Sequence, residues 1–266
     1  AYIHASLPKP VYASPPWGFS ENGGGNSKLI KIIKALYGLP NSGNLWFNHI
    51  SKILIELGWK RSELDPCMFM KNTSKNKSIH DLQVITVYVD DLQYLGSDKN
   101  KKLLLEQLAK QTKCVDLGTA SKFLGMVIDR KIDELTISQE VYIEKLSKRY
   151  ASLIAGKGAS TPISRQACAE MLAAGTIPEE ERNKEDEQRK GVYQSVLGAL
   201  LHCLKTRSDL ALALCYYAQY AKAPREIHLK WLVHCLRYTV SSKHVGLRFV
   251  REQADEDLVL NAYVDA

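Results

Sequence analysis

The sequence predicts an α+β fold, in which an antiparallel sheet is backed by helices and followed by a mostly helical region. Three observations support this prediction. The stretch 84–95 has two apolar, β-rich runs on either side of two adjacent acids, which is typical of a hairpin. Apolar residues after Asn41 recur at helical spacing. Beyond residue 190 the apolar spacing is helical in three successive segments.

Three elements are predicted before the hairpin. Residues 1–19 alternate apolar and polar side chains up to a proline-rich turn, and the glycine-rich stretch 21–27 indicates a flexible connection. A short strand is expected over 29–33. A helix then begins near Asn41 and ends at Gly58, because glycine readily adopts the conformation that closes a helix. We expect this helix to pack beneath the hairpin.

The elements after the hairpin alternate between helix and strand. An amphipathic helix is predicted over 99–113, a second hairpin over 123–138, and another helix over 139–153. The stretch 156–162 is rich in glycine and proline, so it indicates a boundary. A sheet backed by helices, with acids at a hairpin tip, is the expected result.

The C-terminal half is predicted to be helical. The mixed charges of 179–190 favour a solvated helix or a disordered linker over a binding segment. Helices are then predicted over 193–204, 209–221 and 225–240, the last of which opens just after a proline.

Composition bounds the class of protein. With 266 residues, 45% of them hydrophobic, the chain can bury a large core in one large domain or two smaller ones. A net charge of +7 favours an acidic partner such as a nucleic-acid backbone, although proteins without such a partner also carry this charge. No run approaches the roughly 18 apolar residues of a membrane span, so we expect an intracellular protein, cytoplasmic or nuclear, without a membrane partner.

Several classes of site are disfavoured by spacing. The six cysteines form no close pairs of the kind that bind zinc or act in thiol redox chemistry, so we expect reduced structural thiols. The seven histidines show no ligand pattern, and we expect them to be structural. No serine or cysteine lies in a nucleophile elbow.

The adjacent acids Asp90 and Asp91 are the strongest candidate site. Neighbouring carboxylates repel one another unless solvent or a cation screens them, and their hard oxygens suit Mg²⁺. Aspartate is also a common turn former, so a solvated turn explains the same residues. The local pattern leaves both interpretations open.

The segment Tyr88-Val-Asp-Asp91 resembles the metal-binding motif of reverse transcriptases. The whole chain is similar to the reverse transcriptase of copia-type LTR retrotransposons, because further blocks follow in that family's order. These blocks are Ala1–Leu7, Val11–Tyr12, Pro15–Phe19, Leu36–Leu39, Trp46–Phe47, Phe123–Gly125, Ser138–Gln139, Thr161–Pro162, Tyr193–Gly198, Thr206–Asp209 and Leu236–Tyr238.

The resemblance implies a polymerase with palm, fingers and thumb. Residues 1–155 would form part of the fingers and the palm, 156–190 a linker, and 191–245 a helical thumb or connection. Residues 246–266 would begin an incomplete ribonuclease H-like domain, in which Asp265 matches the first metal-binding acid.

The resemblance also implies the chemistry, RNA-directed DNA synthesis with two Mg²⁺ ions in the parent enzyme. These ions need carboxylates from two separate strands, and Asp90 and Asp91 supply those of one strand. The implied partners are an RNA or DNA template with its primer, deoxynucleoside triphosphates and other segments of a Pol polyprotein. The family's remaining acid precedes its alanine by four residues, and that alanine matches Ala1. We therefore expect this acid upstream of residue 1 and no catalysis by the chain as given.

Binding roles follow from the same resemblance. Tyr2 matches the ring that excludes a ribose 2′-hydroxyl, and Gly38 matches the glycine beside the nucleotide; an ordinary strand aromatic and a turn glycine are the alternatives. Tyr88 would lie beside the primer end, or be a half-buried strand tyrosine. The block formed by Phe123, Leu124 and Gly125 resembles the primer grip, or is a packed β-turn.

One stretch departs from the family pattern. Pro40-Asn-Ser-Gly-Asn44 replaces Lys-Gln-Ala-Pro-Arg, so two cations are lost from the loop that would contact the triphosphate or the template. Two alternatives to an enzyme therefore remain. One is a non-catalytic nucleic-acid-binding relic or domesticated protein, and the other is an interaction module that retains only the fold.

Overall fold

The computed structural model describes residues 2–16, 29–72, 81–112, 114–156 and 158–250. The chain forms two compact units that divide between Gly118 and Thr119. The predicted first domain, 1–155, spans this boundary. The glycine-rich stretch 21–27 and the predicted acid Asp265 lie outside the described residues.

The first unit contains two antiparallel sheets and two helices. Its elements are β1 (Ser6–Ala13), β2 (Ile30–Lys34), α1 (Ser42–Glu56), β3 (Lys60–Arg61), β4 (Met68–Asn72), β5 (Leu82–Tyr88), β6 (Asp91–Leu95) and α2 (Asp98–Ala109). Strands β1 and β2 pair with each other, and the second sheet has the order β3-β4-β5-β6. The predicted strand at 29–33, the helix after Asn41 and the acidic hairpin are all confirmed.

The core of this unit lies between the hairpin and the two helices. In β5 the side chains of Gln83, Ile85 and Val87 are buried while those between them are more exposed, which is the period of two expected of a strand with one covered face. Helix α1 buries Trp46 and Ile50 against the same cluster. The chain leaves α1 through Gly58 at φ +84°, a conformation that glycine adopts without strain.

The second unit combines a sheet with a helical bundle. Its elements are β7 (Lys122–Phe123), β8 (Met126–Arg130), β9 (Glu134–Ser138), α3 (Glu140–Arg149), α4 (Arg165–Ala174), α5 (Lys184–Cys203), α6 (Ala211–Ala218), α7 (Glu226–Ser241) and β10 (Leu247–Val250). The sheet has the order β10-β9-β8-β7, and β10 pairs with β9 antiparallel. The second hairpin and the three C-terminal helices were predicted.

Helix α4 was not predicted, because the stretch 156–190 was assigned to a linker. Ser164 caps this helix by accepting a hydrogen bond from the backbone N–H of Ala167. Ala167 and Met171 are fully buried in the cluster that α3, α5, α6 and α7 also form. The charged run predicted as a solvated helix or linker is occupied at 184–190 by the first two turns of α5.

Among the described helices, none has the length and apolar character needed to cross a lipid bilayer.

Candidate active site

The acidic hairpin ends in a two-residue turn. Tyr88 and Asp91 face each other as the last pair of the β5–β6 ladder, so Val89 and Asp90 form the turn itself. Val89 has φ +50°, which is unusual for a β-branched residue and is strained by about 1–3 kcal/mol. The indole Nε1 of Trp46 donates to the carbonyl oxygen of Val89 at 2.6 Å. Helix α1 therefore fixes the tip of the hairpin.

The two carboxylates of this tip are both exposed. The hydroxyl of Tyr37 donates a hydrogen bond to Oδ2 of Asp90, and the two oxygens lie 2.5 Å apart. Asp91 opens β6, and Tyr88 beside it exposes about half of its side chain. The pair predicted from the sequence thus stands at a solvent-accessible point whose backbone is held in place.

Tyr37 was not identified as a functional residue from the sequence. It lies in a turn that the backbone N–H of Leu39 closes onto the carbonyl of Leu36, and Gly38 adopts φ +95° there. Among the described residues, no atom lies within 4 Å of a Cβ added at Gly38; the positive φ angle by itself favours glycine at this position. The hydrogen bond to Asp90, with loss of solvation and the charge of that carboxylate, raises the pKa of Tyr37.

Tyr2 is brought next to this turn. It begins the short 3₁₀ helix Tyr2–His4, and its ring centroid lies 4.4 Å from that of Tyr37. Its hydroxyl would lie 3.9 Å from a Cβ added at Gly43. The structure therefore gathers Tyr2, the Gly38 turn and the acidic tip into one part of the first unit.

The predicted primer-binding block lies in the second unit. Leu124 and Gly125, at φ +49° and +79°, form the turn between β7 and β8. Phe123 pairs with Met126 across this turn, and two positive φ angles are typical of a tight hairpin turn. Leucine is strained in this conformation, and its side chain is 41% exposed.

The donor set at the tip fits a hard divalent cation. Asp90 and Asp91 supply carboxylate oxygens, and Mg²⁺ commonly takes one or two carboxylates with water and substrate phosphates as its other ligands. Within the described ranges, no group of three or more His, Cys, Asp or Glu side chains is placed to hold a metal ion.

A second block, Thr206–Asp209, has a structural role. The fully buried guanidinium of Arg207 donates to both carboxylate oxygens of Asp209, at 2.9 and 2.8 Å. Tyr238 also donates to Asp209, and Ser242 accepts from Arg207. Burial alone would raise the pKa of Asp209, but these hydrogen bonds lower it below its ordinary value.

His228 is a structural histidine, as predicted. Its Nδ1 accepts from the backbone N–H of Arg225, so Nε2 carries the proton and donates to the carbonyl of Met171. The ring stacks on Tyr220 with centroids 4.1 Å apart. Burial lowers the pKa of His228.

Comparison with known families gives a match over most of the chain. Residues 1–165 match the family described as "Reverse transcriptase (RNA-dependent DNA polymerase)". No solved structure matches the chain significantly.

Similar proteins are found among transposon polyproteins. The chain is 30% identical to the retrovirus-related Pol polyprotein from transposon TNT 1-94 of Nicotiana tabacum, and 28% identical to that from transposon RE1 of Arabidopsis thaliana. All of this chain aligns, but it spans only 19% and 17% of those two proteins. It is also 28% identical to a putative transposon Ty5-1 protein of Saccharomyces cerevisiae, over 100% of this chain and 81% of that protein.

Proposed function

We propose, since the chain belongs to the reverse transcriptase (RNA-dependent DNA polymerase) family, that it forms the nucleotide-adding part of a copia-type retrotransposon Pol polyprotein. Its substrates are deoxynucleoside triphosphates and a primer on an RNA or DNA template. The observation that carries the proposal is the hairpin tip, which the hydrogen bond from Trp46 holds in place. There Asp90 and Asp91 are exposed to solvent, and Tyr37 donates to Asp90.

The proposed roles follow from what each side chain offers. Asp90 and Asp91 would hold Mg²⁺, of which the family uses two ions. The bound metal would supply activation of the primer 3′-hydroxyl and neutralisation of charge on the triphosphate and the leaving pyrophosphate. Tyr2 lies under the incoming sugar and excludes a 2′-hydroxyl by its bulk. The turn at Gly38 brings backbone close to the nucleotide.

We assign primer binding to Tyr88 and to the turn formed by Phe123, Leu124 and Gly125. In the same proposal β1 and β2 belong to the fingers, the β3–β6 sheet to the palm, and the helices from α5 onward to the thumb or connection. Residues 246–266, including Asp265, would begin the ribonuclease H-like domain.

A cleavage experiment tests the metal site without requiring turnover. Fe²⁺ replaces Mg²⁺, and with ascorbate and peroxide it generates hydroxyl radicals that cut the nearby backbone. We expect cleavage around residues 88–92, and loss of that cleavage in Asp90→Asn and Asp91→Asn. Asp129 is an exposed acid of β8, and Asp129→Asn is the matched control. This variant should be cleaved in the same way as the wild-type protein. Cleavage that persists in both tip variants would contradict the proposal.

A non-catalytic nucleic-acid-binding role is the second candidate. It is favoured by the stretch Pro40–Asn44, which carries no cation where the resembling family carries two. This candidate predicts that primer-template binds equally well with and without Mg²⁺ and the next templated nucleotide. The polymerase proposal predicts that both ligands together slow dissociation, because Asp90 and Asp91 would hold the cation that binds the triphosphate while the base of the nucleotide pairs with the template.

A further inference from the structure

Tyr37 contacts the proposed metal ligand and has no role in the function described above. Its Oη lies 2.5 Å from Oδ2 of Asp90, although 53 positions separate the two residues. The Tyr37 side chain is 67% exposed, so hydrophobic burial does not explain why it points at this carboxylate. The contact is a hydrogen bond from a neutral donor to a charged acceptor, which is among the stronger kinds.

Both partners of this hydrogen bond are fixed by the first turns of α1. The hydroxyl of Ser42 donates at 2.6 Å to the carbonyl of Leu36, which precedes Tyr37. Trp46, four residues later on the same face of the helix, donates to Val89, which precedes Asp90. Ser42 and Trp46 are both buried. One rigid element therefore sets the position of the donor turn and of the acceptor turn.

The hydrogen bond also bears on how Asp90 would hold a cation. Metal-ligating carboxylates are commonly hydrogen-bonded in this way, and removing such a partner weakens metal affinity about 10–100-fold.

We propose that Tyr37 is a positioning residue for Asp90, which orients this carboxylate so that it binds the divalent cation. The inference rests on the proposed function, because it takes Asp90 to be a metal ligand. If the Tyr37 hydrogen bond instead competed with the cation for the Asp90 carboxylate, removing the Tyr37 hydroxyl would strengthen metal binding. The sign of the effect of Tyr37→Phe on metal affinity therefore decides between positioning and competition.

The experiment measures Mn²⁺ affinity by electron paramagnetic resonance. Tyr37→Phe removes the hydroxyl and keeps the ring that contacts Tyr2, and we expect its Mn²⁺ affinity to be 10–100-fold weaker. Tyr12→Phe, an exposed tyrosine of β1 outside the site, is the matched control and should bind as the unchanged chain does. Thermal melting should be the same for all three proteins, since both tyrosines are exposed.

A double variant separates positioning from a general structural effect. In the Asp90→Asn background, Tyr37→Phe should cause no further loss of affinity, because the acceptor that it orients is already changed. If Asp90→Asn weakens binding while Tyr37→Phe leaves it unchanged or tightens it, the positioning role is wrong and the proposed function stands. If Mn²⁺ binding does not depend on Asp90, both are wrong.

Discussion

At the scale of single residues, Val89 has a strained backbone and directly precedes the proposed metal ligand Asp90. A turn with positive φ at its first central position favours glycine there. We therefore expect Val89→Gly to raise the free energy of unfolding by about 1 kcal/mol, since relief of 1–3 kcal/mol of strain exceeds the entropy lost by glycine. Urea unfolding measures this change.

A strand position provides the matched control for Val89. Val11→Gly, in β1, should lower the free energy of unfolding by about 1 kcal/mol, because its backbone needs no left-handed conformation. Equal destabilisation by the two glycine variants would show that Val89 is not strained.

His228 makes the second residue-scale prediction, which concerns pH. Burial lowers its pKa in the folded chain below the unfolded value of about 6.5. As pH falls below about 6.5, the unfolded chain therefore binds a proton that the folded chain does not, and stability decreases until the folded pKa is reached. Urea midpoints at pH 7 and pH 5 should show a smaller decrease in His228→Asn.

The control for this prediction is His244→Asn, because His244 is exposed beyond the end of α7. It should keep the pH dependence of the unchanged chain. An identical pH dependence in all three proteins would mean that His228 does not titrate differently on folding.

At the scale of secondary-structure elements, the predictable parts are those with many large apolar residues. Helix α1 was predicted because Trp46, Ile50 and Leu54 recur at helical spacing and are all buried. The acidic hairpin was predicted from its two β-rich runs, and its alternating burial follows. In these elements the size and polarity of the side chains predict which of them are buried.

The parts that were missed depend on contacts distant in sequence. Helix α4 presents mainly Ala167 and Met171 to the core, so its apolar pattern is weak and its burial comes from neighbouring helices. The hydrogen bond between Tyr37 and Asp90 joins residues that are distant in sequence, and no local sequence pattern predicts it. The position of Asp90 and Asp91 at the tip of a hairpin was predictable, but the hydrogen-bond partner of Asp90 was not.

The segment before α4 is hydrogen-bonded to a side chain of α7. The guanidinium of Arg237, on α7, donates to the carbonyl oxygens of Ala155 and Leu153 at 2.8 and 3.4 Å. Arg237→Met removes these donors, so we expect a loss of about 1–3 kcal/mol in unfolding free energy and faster proteolysis between residues 153 and 161. Lys230→Met, at an exposed position of α7, breaks a surface ion pair with Glu170, so it should change the unfolding free energy by less than about 1 kcal/mol and leave this proteolysis unchanged.

If Arg237→Met is cut no faster than the unchanged chain, other bonds hold this segment. The candidates are His234, which contacts the carbonyl of Thr161 at 3.0 Å, and Ser241, which donates to that of Ala159 at 3.3 Å.

At the scale of the whole molecule, the positive charge bears on the nucleic-acid partner. The net charge is +7, and binding through phosphate contacts releases counterions, so affinity for primer-template should fall steeply as salt rises. A titration at several salt concentrations gives the slope of log affinity against log salt. A slope near zero would favour an interaction module that retains only the fold.

The central claim is that Asp90 and Asp91 form the metal-dependent nucleotide site of a template-directed polymerase. The most direct test is the dissociation rate of the chain from a dideoxy-terminated primer-template in the presence of Mg²⁺. We predict that the next templated deoxynucleotide slows dissociation more than the three mismatched ones, and that Asp91→Asn abolishes this difference. Equal dissociation with all four nucleotides, or selectivity that survives Asp91→Asn, would contradict the account.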